Sequence, residues 1–243
     1  MRQLKSLVKR VIGWTPVDYR AALFEELRAY LNGVRPARIL EIGPKDGHDT
    51  RRLLQLKPDM LTLIDLPRMK EVNEKWLREI DASCIQYISD NFMYSELVET
   101  LEPYDCIWCT GVLYHNPEQL RMVKKLYDLL KPGGVLVLES ATARTPRLRK
   151  SNCVEIIYPP SEEMKKKYHV SMNITHLPSA RAMASWMGMV GFQNIVLSSC
   201  HRKVSRALAR ARAALLGAKP LQPVAGTYYN FAGDKGFIVG KAR

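Results

Sequence analysis

Between residues 38 and 139 the apolar positions fall into short continuous runs, separated by stretches with a helical period. Residues 38–42, 60–64, 84–89, 105–109 and 135–139 are too short and too evenly apolar for amphipathic helices, which predicts buried strands. The stretches 49–56, 71–80, 96–101 and 119–130 predict helices, the last with Leu120, Val123, Leu126 and Leu130 on one side. Lys131-Pro-Gly-Gly134 predicts a turn before the fifth run. Strands that alternate with helices form a mostly parallel sheet covered on both faces, a doubly wound, Rossmann-like α/β fold. Two late runs, 194–199 and 236–240, extend the expected sheet to seven strands with a late antiparallel strand.

The flanks have a different rhythm. Residues 4–12 place Leu4, Leu7, Val8, Val11 and Ile12 on one helical stripe, and Pro16 ends that helix. A second helix over 19–32 stops at Asn32-Gly33. Residues 1–36 thus read as an N-terminal helical segment, and 37–243 as a catalytic domain. Within it, 142–178 is basic, proline-bearing and weakly periodic, which predicts an insertion over the top of the sheet. A helix over 179–190 is stopped by Gly191, and the Ala- and Arg-rich stretch 204–216 predicts another helix.

The net charge of +13 changes this picture through its location. Residues 1–14 hold four basic residues and no acid, 142–170 hold seven basic and three acidic, and 201–219 hold six basic and no acid. These stretches suit an anionic acceptor, RNA or a peripheral membrane surface, or a plain solvated face. Arg206, Arg210 and Arg212 are expected to serve such docking and to be dispensable for cofactor binding. Five cysteines without disulfide-like spacing, no apolar run of membrane-spanning length and no secretory pattern point to the cytoplasm. Cys106 and Cys109 form a C-x-x-C inside a strand, where positions three apart face opposite ways, so they read as buried thiols and not as a metal site.

The chemistry concentrates at strand ends. Glu41-Ile-Gly43-Pro-Lys45-Asp-Gly47 occupies a strand-to-helix turn, where glycines let backbone approach a ligand. A dinucleotide site would show G-x-G-x-x-G to cradle a pyrophosphate. This chain has G-x-x-x-G behind an acid, which suits a cationic ligand without phosphate. Asp65, with Leu66 beside it, ends the second strand where an acid can accept from ribose hydroxyls. Asp90 ends the third, where it can accept from an adenine amine, with Asn91 and Phe92 placed to flank the ring.

Together with Tyr104-Asp105, Gly111-Val-Leu-Tyr-His115 and the run 129–139, these residues resemble the class I S-adenosylmethionine-dependent methyltransferases over about residues 37–141. The resemblance implies S-adenosyl-L-methionine as cofactor, held by Glu41, Gly43, Lys45, Gly47, Asp65, Leu66, Asp90, Asn91 and Thr110. Lys45 stands where that family usually has a middle glycine. Gly111–His115, Asn173–Ser179 and Trp186…Phe192 further resemble the tRNA wobble-uridine carboxymethyltransferases, which use a carboxylated form of the cofactor. That resemblance implies carboxylate contacts from Tyr114 and Arg20; around Lys235-Gly236, where a further arginine is expected, none stands. Ordinary S-adenosylmethionine is therefore the expected donor.

Tyr114 and His115 follow the fourth strand, on the acceptor side. His115 is either a general base, its pKa being near neutrality, or a structural imidazole. His176, in the insertion, could face the same cleft, although a structural role is the commoner one. The expected activity is methyl transfer to a hydroxyl, carboxyl or amine of a small or lipid- or sugar-linked acceptor. The alternative is a tRNA wobble-uridine methyl- or carboxymethyltransferase; its charge fits a phosphate backbone, but the basic stretches hold few aromatics for base stacking.

Overall fold

The computed structural model describes residues 18–80, 83–143, 148, 151–156, 176–197 and 234–241, the last as backbone only. The expected helices over 4–12 and 204–216, the basic stretches 1–14 and 201–219, and most of the 142–178 segment lie outside the described residues.

Helix α1 (Tyr19–Leu31) starts where the Asp18 carboxylate accepts from the N–H groups of Arg20 and Ala21 at 3.1 and 3.0 Å. It ends at Asn32, which is left-handed. There follow β1 (Arg38–Ile42), α2 (His48–Leu53), β2 (Met60–Asp65), α3 (Lys70–Leu77), β3 (Ile85–Ser89), α4 (Glu96–Glu99), β4 (Tyr104–Thr110), α5 (Gln119–Asp128) and β5 (Leu130–Ala141). The described chain closes with β6 (Val154–Ile156), β7 (His176–Pro178), α6 (Ala180–Val190), β8 (Phe192–Leu197) and β9 (Asp234–Lys241).

The core of the fold is a parallel sheet in the order β3-β2-β1-β4-β5. Strand β9 joins β5 antiparallel, and β8 joins β9 antiparallel at the edge. Alternate residues of each strand feed two apolar layers. Leu40, Ile42, Ile107, Cys109, Leu136 and Leu138 meet Met122, Val123 and Leu126 of α5 and Met183 and Met187 of α6. Ile39, Leu61, Leu63, Cys106, Trp108 and Val137 meet Leu23, Phe24 and Leu27 of α1, Leu53 of α2 and Trp76 of α3. Cys106 and Cys109 are free, buried and on opposite faces, as strand alternation requires. Burial pushes both thiols up, Cys106 to about 12.

Three expectations are corrected. Residues 131–134 are a bulged part of β5 and not a separate turn, because the register with β4 jumps from Tyr104↔Leu130 to Cys106↔Val135. Leu120 is 39% exposed; the buried face of α5 is Gln119, Met122, Val123 and Leu126. The 142–178 segment is not wholly irregular, since β6 and β7 pair antiparallel apart from the main sheet.

After β1 the chain winds outward through β2 and β3, then returns to β4 on the other side of β1. Ligands of open α/β sheets bind beyond the strand ends at such a reversal. Ile42 pairs with Cys109 there, so the loops opened by Gly43 and Gly111 are neighbours. A Cβ on Gly43 would lie 2.8 Å from Val112 Cγ2, which leaves room at this crossing for a glycine only.

Candidate active site

The cofactor-side loop is shaped from beneath by α3. Gly47 is left-handed at φ 71°, and a Cβ there would lie 2.5 Å from the Trp76 ring. Its glycine is therefore demanded by the Trp76 indole, where close approach of a ligand was expected. The Trp76 N–H donates to the Lys45 carbonyl at 3.1 Å and to Asn73 Oδ1 at 3.2 Å. Lys45 takes φ 53°, the conformation that favours the glycine it replaces.

Asp65 is half-buried at the end of β2. Its Oδ1 accepts from the Leu66 N–H at 2.8 Å, and its Oδ2 from Asn73 Nδ2 at 3.0 Å and the Lys45 N–H at 3.4 Å. Asp90 follows β3, its own N–H bonded to the Asp65 carbonyl at 2.9 Å. The nearby Ser95 hydroxyl, and then the Asn91 N–H at 2.7 Å, hold its carboxyl below the usual range. The Asn91 side chain accepts from the Met93 N–H at 3.0 Å, which shapes the loop. Phe92, expected to flank the ring beside Asp90, is buried with Met93 among the α5 side chains.

Glu41 lies inside the fold, 1% exposed, where it accepts from the Thr50 hydroxyl at 2.7 Å. Burial raises its carboxyl to about 8; the Thr50 bond opposes this, Asp49 adds to it and Arg20 subtracts. A second buried acid, Asp49, stands on the first turn of α2.

Asp49 is 3% exposed and gathers Arg20 Nη1 at 3.0 Å, Arg52 Nη1 at 2.6 Å, Trp108 Nε1 at 3.2 Å and the Thr110 hydroxyl at 3.2 Å. Arg52 also pairs with Asp18. Thr110, expected to face the cofactor, is buried and turned into this network. The ladder ties α1, α2 and β4 together and places the Arg20 guanidinium over Gly111. A Cβ there would lie 2.6 Å from Arg20 Nη2 and 3.7 Å from the Tyr114 hydroxyl oxygen. The sequence reading placed Arg20 and Tyr114 together, and the fold does bring them to the same glycine.

Leu113–His115 is a 3-10 turn anchored by fully buried Leu113. The Tyr114 and His115 rings lie 4.3 Å apart, and Tyr114 packs on Ala141 and Leu177. His176 stands on β7 beside Leu177. One buried group joins the two segments: Gln119 Nε2 donates to the Leu113 carbonyl and to the His176 carbonyl, both at 3.0 Å. Asp49, Asn73, Trp76 and Gln119 went unnoticed in the sequence. Only Asp49 left a trace there, two residues past Gly47 at the start of a helix.

A family model for the methyltransferase domain matches residues 17–197. The chain belongs to that methyltransferase domain family. It is 22% identical over 210 residues to a tRNA U34 carboxymethyltransferase of Chromohalobacter salexigens, with 80% of this chain and 59% of that protein aligned. It is 27% identical over 162 residues to the tRNA U34 carboxymethyltransferase of Helicobacter pylori strain P12, covering 66% and 58%. The chain spans about half to three-fifths of the length of the curated relatives it matches. Among solved structures it resembles the N-methyltransferase NodS from Bradyrhizobium japonicum in complex with S-adenosyl-l-homocysteine, at TM-score 0.57 and 16% identity, covering 93% and 89%. It also resembles the CurJ carbon methyltransferase, at TM-score 0.60 and 17% identity, covering 92% and 54%. At these identities the structural likeness is one of fold. No helix among the described residues is long and apolar enough to cross a membrane.

Proposed function

We propose that the chain moves a methyl group from S-adenosylmethionine to a hydroxyl, carboxyl or amine of a small or lipid- or sugar-linked acceptor, in the cleft above β1 and β4. The observation that supports this is the junction of the Gly43 and Gly111 loops, with the Asp65 and Asp90 carboxylates at neighbouring strand ends and the Tyr114 hydroxyl near Gly111; His115 and His176 are read as acceptor-side groups. The residues suit the cofactor. Asp65 and Asp90 present carboxylates at consecutive strand ends, able to accept from hydroxyls and an amine, and the 43–47 loop lacks the glycine pattern of a pyrophosphate cradle. Asp65, Leu66, Asp90 and Asn91 would hold the nucleoside, and Gly43–Gly47 the remainder. When bound, the cofactor supplies an electrophilic methyl group on a sulfonium. The protein's part is to hold the acceptor in line with it and to take the acceptor's proton, the role assigned to His115 with Tyr114 beside it.

A second reading, wobble-uridine modification of tRNA, draws on the relatives' names and on the meeting of Arg20 and Tyr114 at Gly111. Arg20 Nη1 is already neutralised by Asp49, a carboxylate with 3% exposure. This pairing weakens any pull on a carboxylated cofactor and supports ordinary S-adenosylmethionine as donor. Incubation of the protein with methyl-labelled S-adenosylmethionine and separate pools of tRNA and of small hydroxyl, carboxyl and amine acceptors tests the assignment. A mass gain of one methyl group on a small acceptor is expected. Label only in tRNA, or a preference for the carboxylated donor in competition, would contradict it.

A further inference from the structure

Asn73 is a fully enclosed polar side chain beside the proposed cofactor site, with 0% exposure. Its amide is fully used. Nδ2 donates to Asp65 Oδ2 at 3.0 Å and to the Tyr87 hydroxyl at 3.2 Å, while Oδ1 accepts from the Trp76 N–H at 3.2 Å. The indole can only donate and the carboxylate can only accept, so the amide has one orientation. The same indole N–H holds the Lys45 carbonyl, and the Lys45 N–H reaches back to the oxygen of Asp65 that Asn73 holds. A closed circuit thus links Asn73, Asp65, Lys45 and Trp76. None of the four is a neighbour of another in sequence, and three elements, β2, α3 and the 43–47 loop, contribute to it.

We infer that Asn73 is the positioning residue of the cofactor site, aiming the Asp65 carboxylate and, through Trp76, fixing the Lys45 carbonyl, so that the ribose wall and the glycine loop are set as one unit. Asn73 itself need not touch the cofactor. This rests on the reading of Asp65 as the ribose-binding acid. Asp65 can bind a hydroxyl strongly only if its open lone pairs point into the cleft, and the Leu66 N–H on Oδ1 together with the two donors on Oδ2 determines that direction. Removal of the amide takes away the side-chain donor on Oδ2 and leaves the carboxylate held by the two backbone N–H groups, with more freedom about its χ2. A ligand that does not use the 2′-hydroxyl would be indifferent to that freedom.

The test is calorimetric binding of S-adenosylhomocysteine and of its 2′-deoxyribose analogue to the wild-type chain, Asp65→Ala, Asn73→Asp and Asn73→Ser. The wild-type chain is expected to prefer the ribose form by about tenfold to a hundredfold, the worth of a hydrogen bond to a charged group. Both Asn73 variants should cut that preference to about threefold or less, while the deoxy analogue binds nearly as before. A purely structural role would weaken both ligands alike and leave the ratio intact, which overturns the inference. If Asp65→Ala keeps the preference, the ribose assignment itself fails. If Asp65→Ala loses it and the Asn73 variants keep it, only the role of Asn73 fails. Should neither Asn73 variant fold, Trp76→Phe carries the test, since it keeps the ring on Gly47 and removes the N–H that orients the amide. A lowered preference in it supports the inference, and an unchanged one overturns it.

Discussion

The two sides of the cleft are built differently. On the cofactor side, the ends of β1, β2 and β3 are laced to one another. The Gly43 N–H bonds to the Ile64 carbonyl and the Asp90 N–H to the Asp65 carbonyl, both at 2.9 Å, and α3 braces the loop from below. On the acceptor side, the turn carrying Tyr114 and His115 meets β7 across a gap of about sixty residues. Leu177 packing and the buried Gln119 amide help to hold that meeting. A cofactor common to a family asks for a rigid, prebuilt seat, whereas an acceptor wall assembled from distant segments can vary without disturbing it.

The sharpest way to break the cofactor side is Gly47→Ala. Its methyl group would sit 2.5 Å from Trp76 at a positive φ, and about 3 kcal/mol of stability should be lost in urea unfolding. A loss below about 1 kcal/mol would mean that the Trp76 brace is not rigid.

On the acceptor side, Gln119→Met keeps the volume and removes both donations, to the Leu113 carbonyl, which keeps the Asn116 N–H, and to the His176 carbonyl. About 2 kcal/mol of stability should go, with S-adenosylmethionine affinity unchanged by calorimetry. A marked fall in that affinity would show that the two sides are not separable.

Glu41 sharpens the comparison through pH. Its folded pKa of about 8 lies above the ordinary 4.5, so the folded protein holds a proton that the unfolded chain releases. The stability this contributes is fully present below about 4.5 and is lost as pH rises through about 8. The slope is at most about 1.4 kcal/mol per pH unit between those values. Glu41→Gln should flatten the pH dependence of the urea midpoint across that window; identical slopes would place the proton elsewhere. The smallest effect belongs to Lys45→Gly, which relieves the left-handed backbone and should stabilise the chain by about 0.5–1 kcal/mol in the same assay.

This contrast also explains what could be read from the sequence. The five parallel strands stood out because buried strands are continuous apolar runs. Gly43, Asp65 and Asp90 stood out because they stand at strand ends, where open α/β sheets generally bind ligands. Asn73, Trp76 and Gln119 did not, since a buried polar residue inside a helix looks like any solvent-facing one until its partner is known. Those partners lie 3 to 57 positions away. Gly47 stood out as a loop glycine, but its contact with the Trp76 ring could not be read from the sequence, nor could the burial of Phe92 among the α5 side chains. Thr110 and Glu41 were read as cofactor-holding residues, and the alternation of β4 and β1 turns both toward the α1–α2 layer.

The central claim is that the β2 end is a preformed seat for the cofactor's nucleoside. Calorimetry of S-adenosylmethionine on the wild-type chain and on Asp65→Ala tests it most directly. Removal of this half-buried carboxylate should weaken binding by about 1–3 kcal/mol, with the melting transition still cooperative. Equal affinity in a folded Asp65→Ala chain would place the cofactor elsewhere and contradict the account.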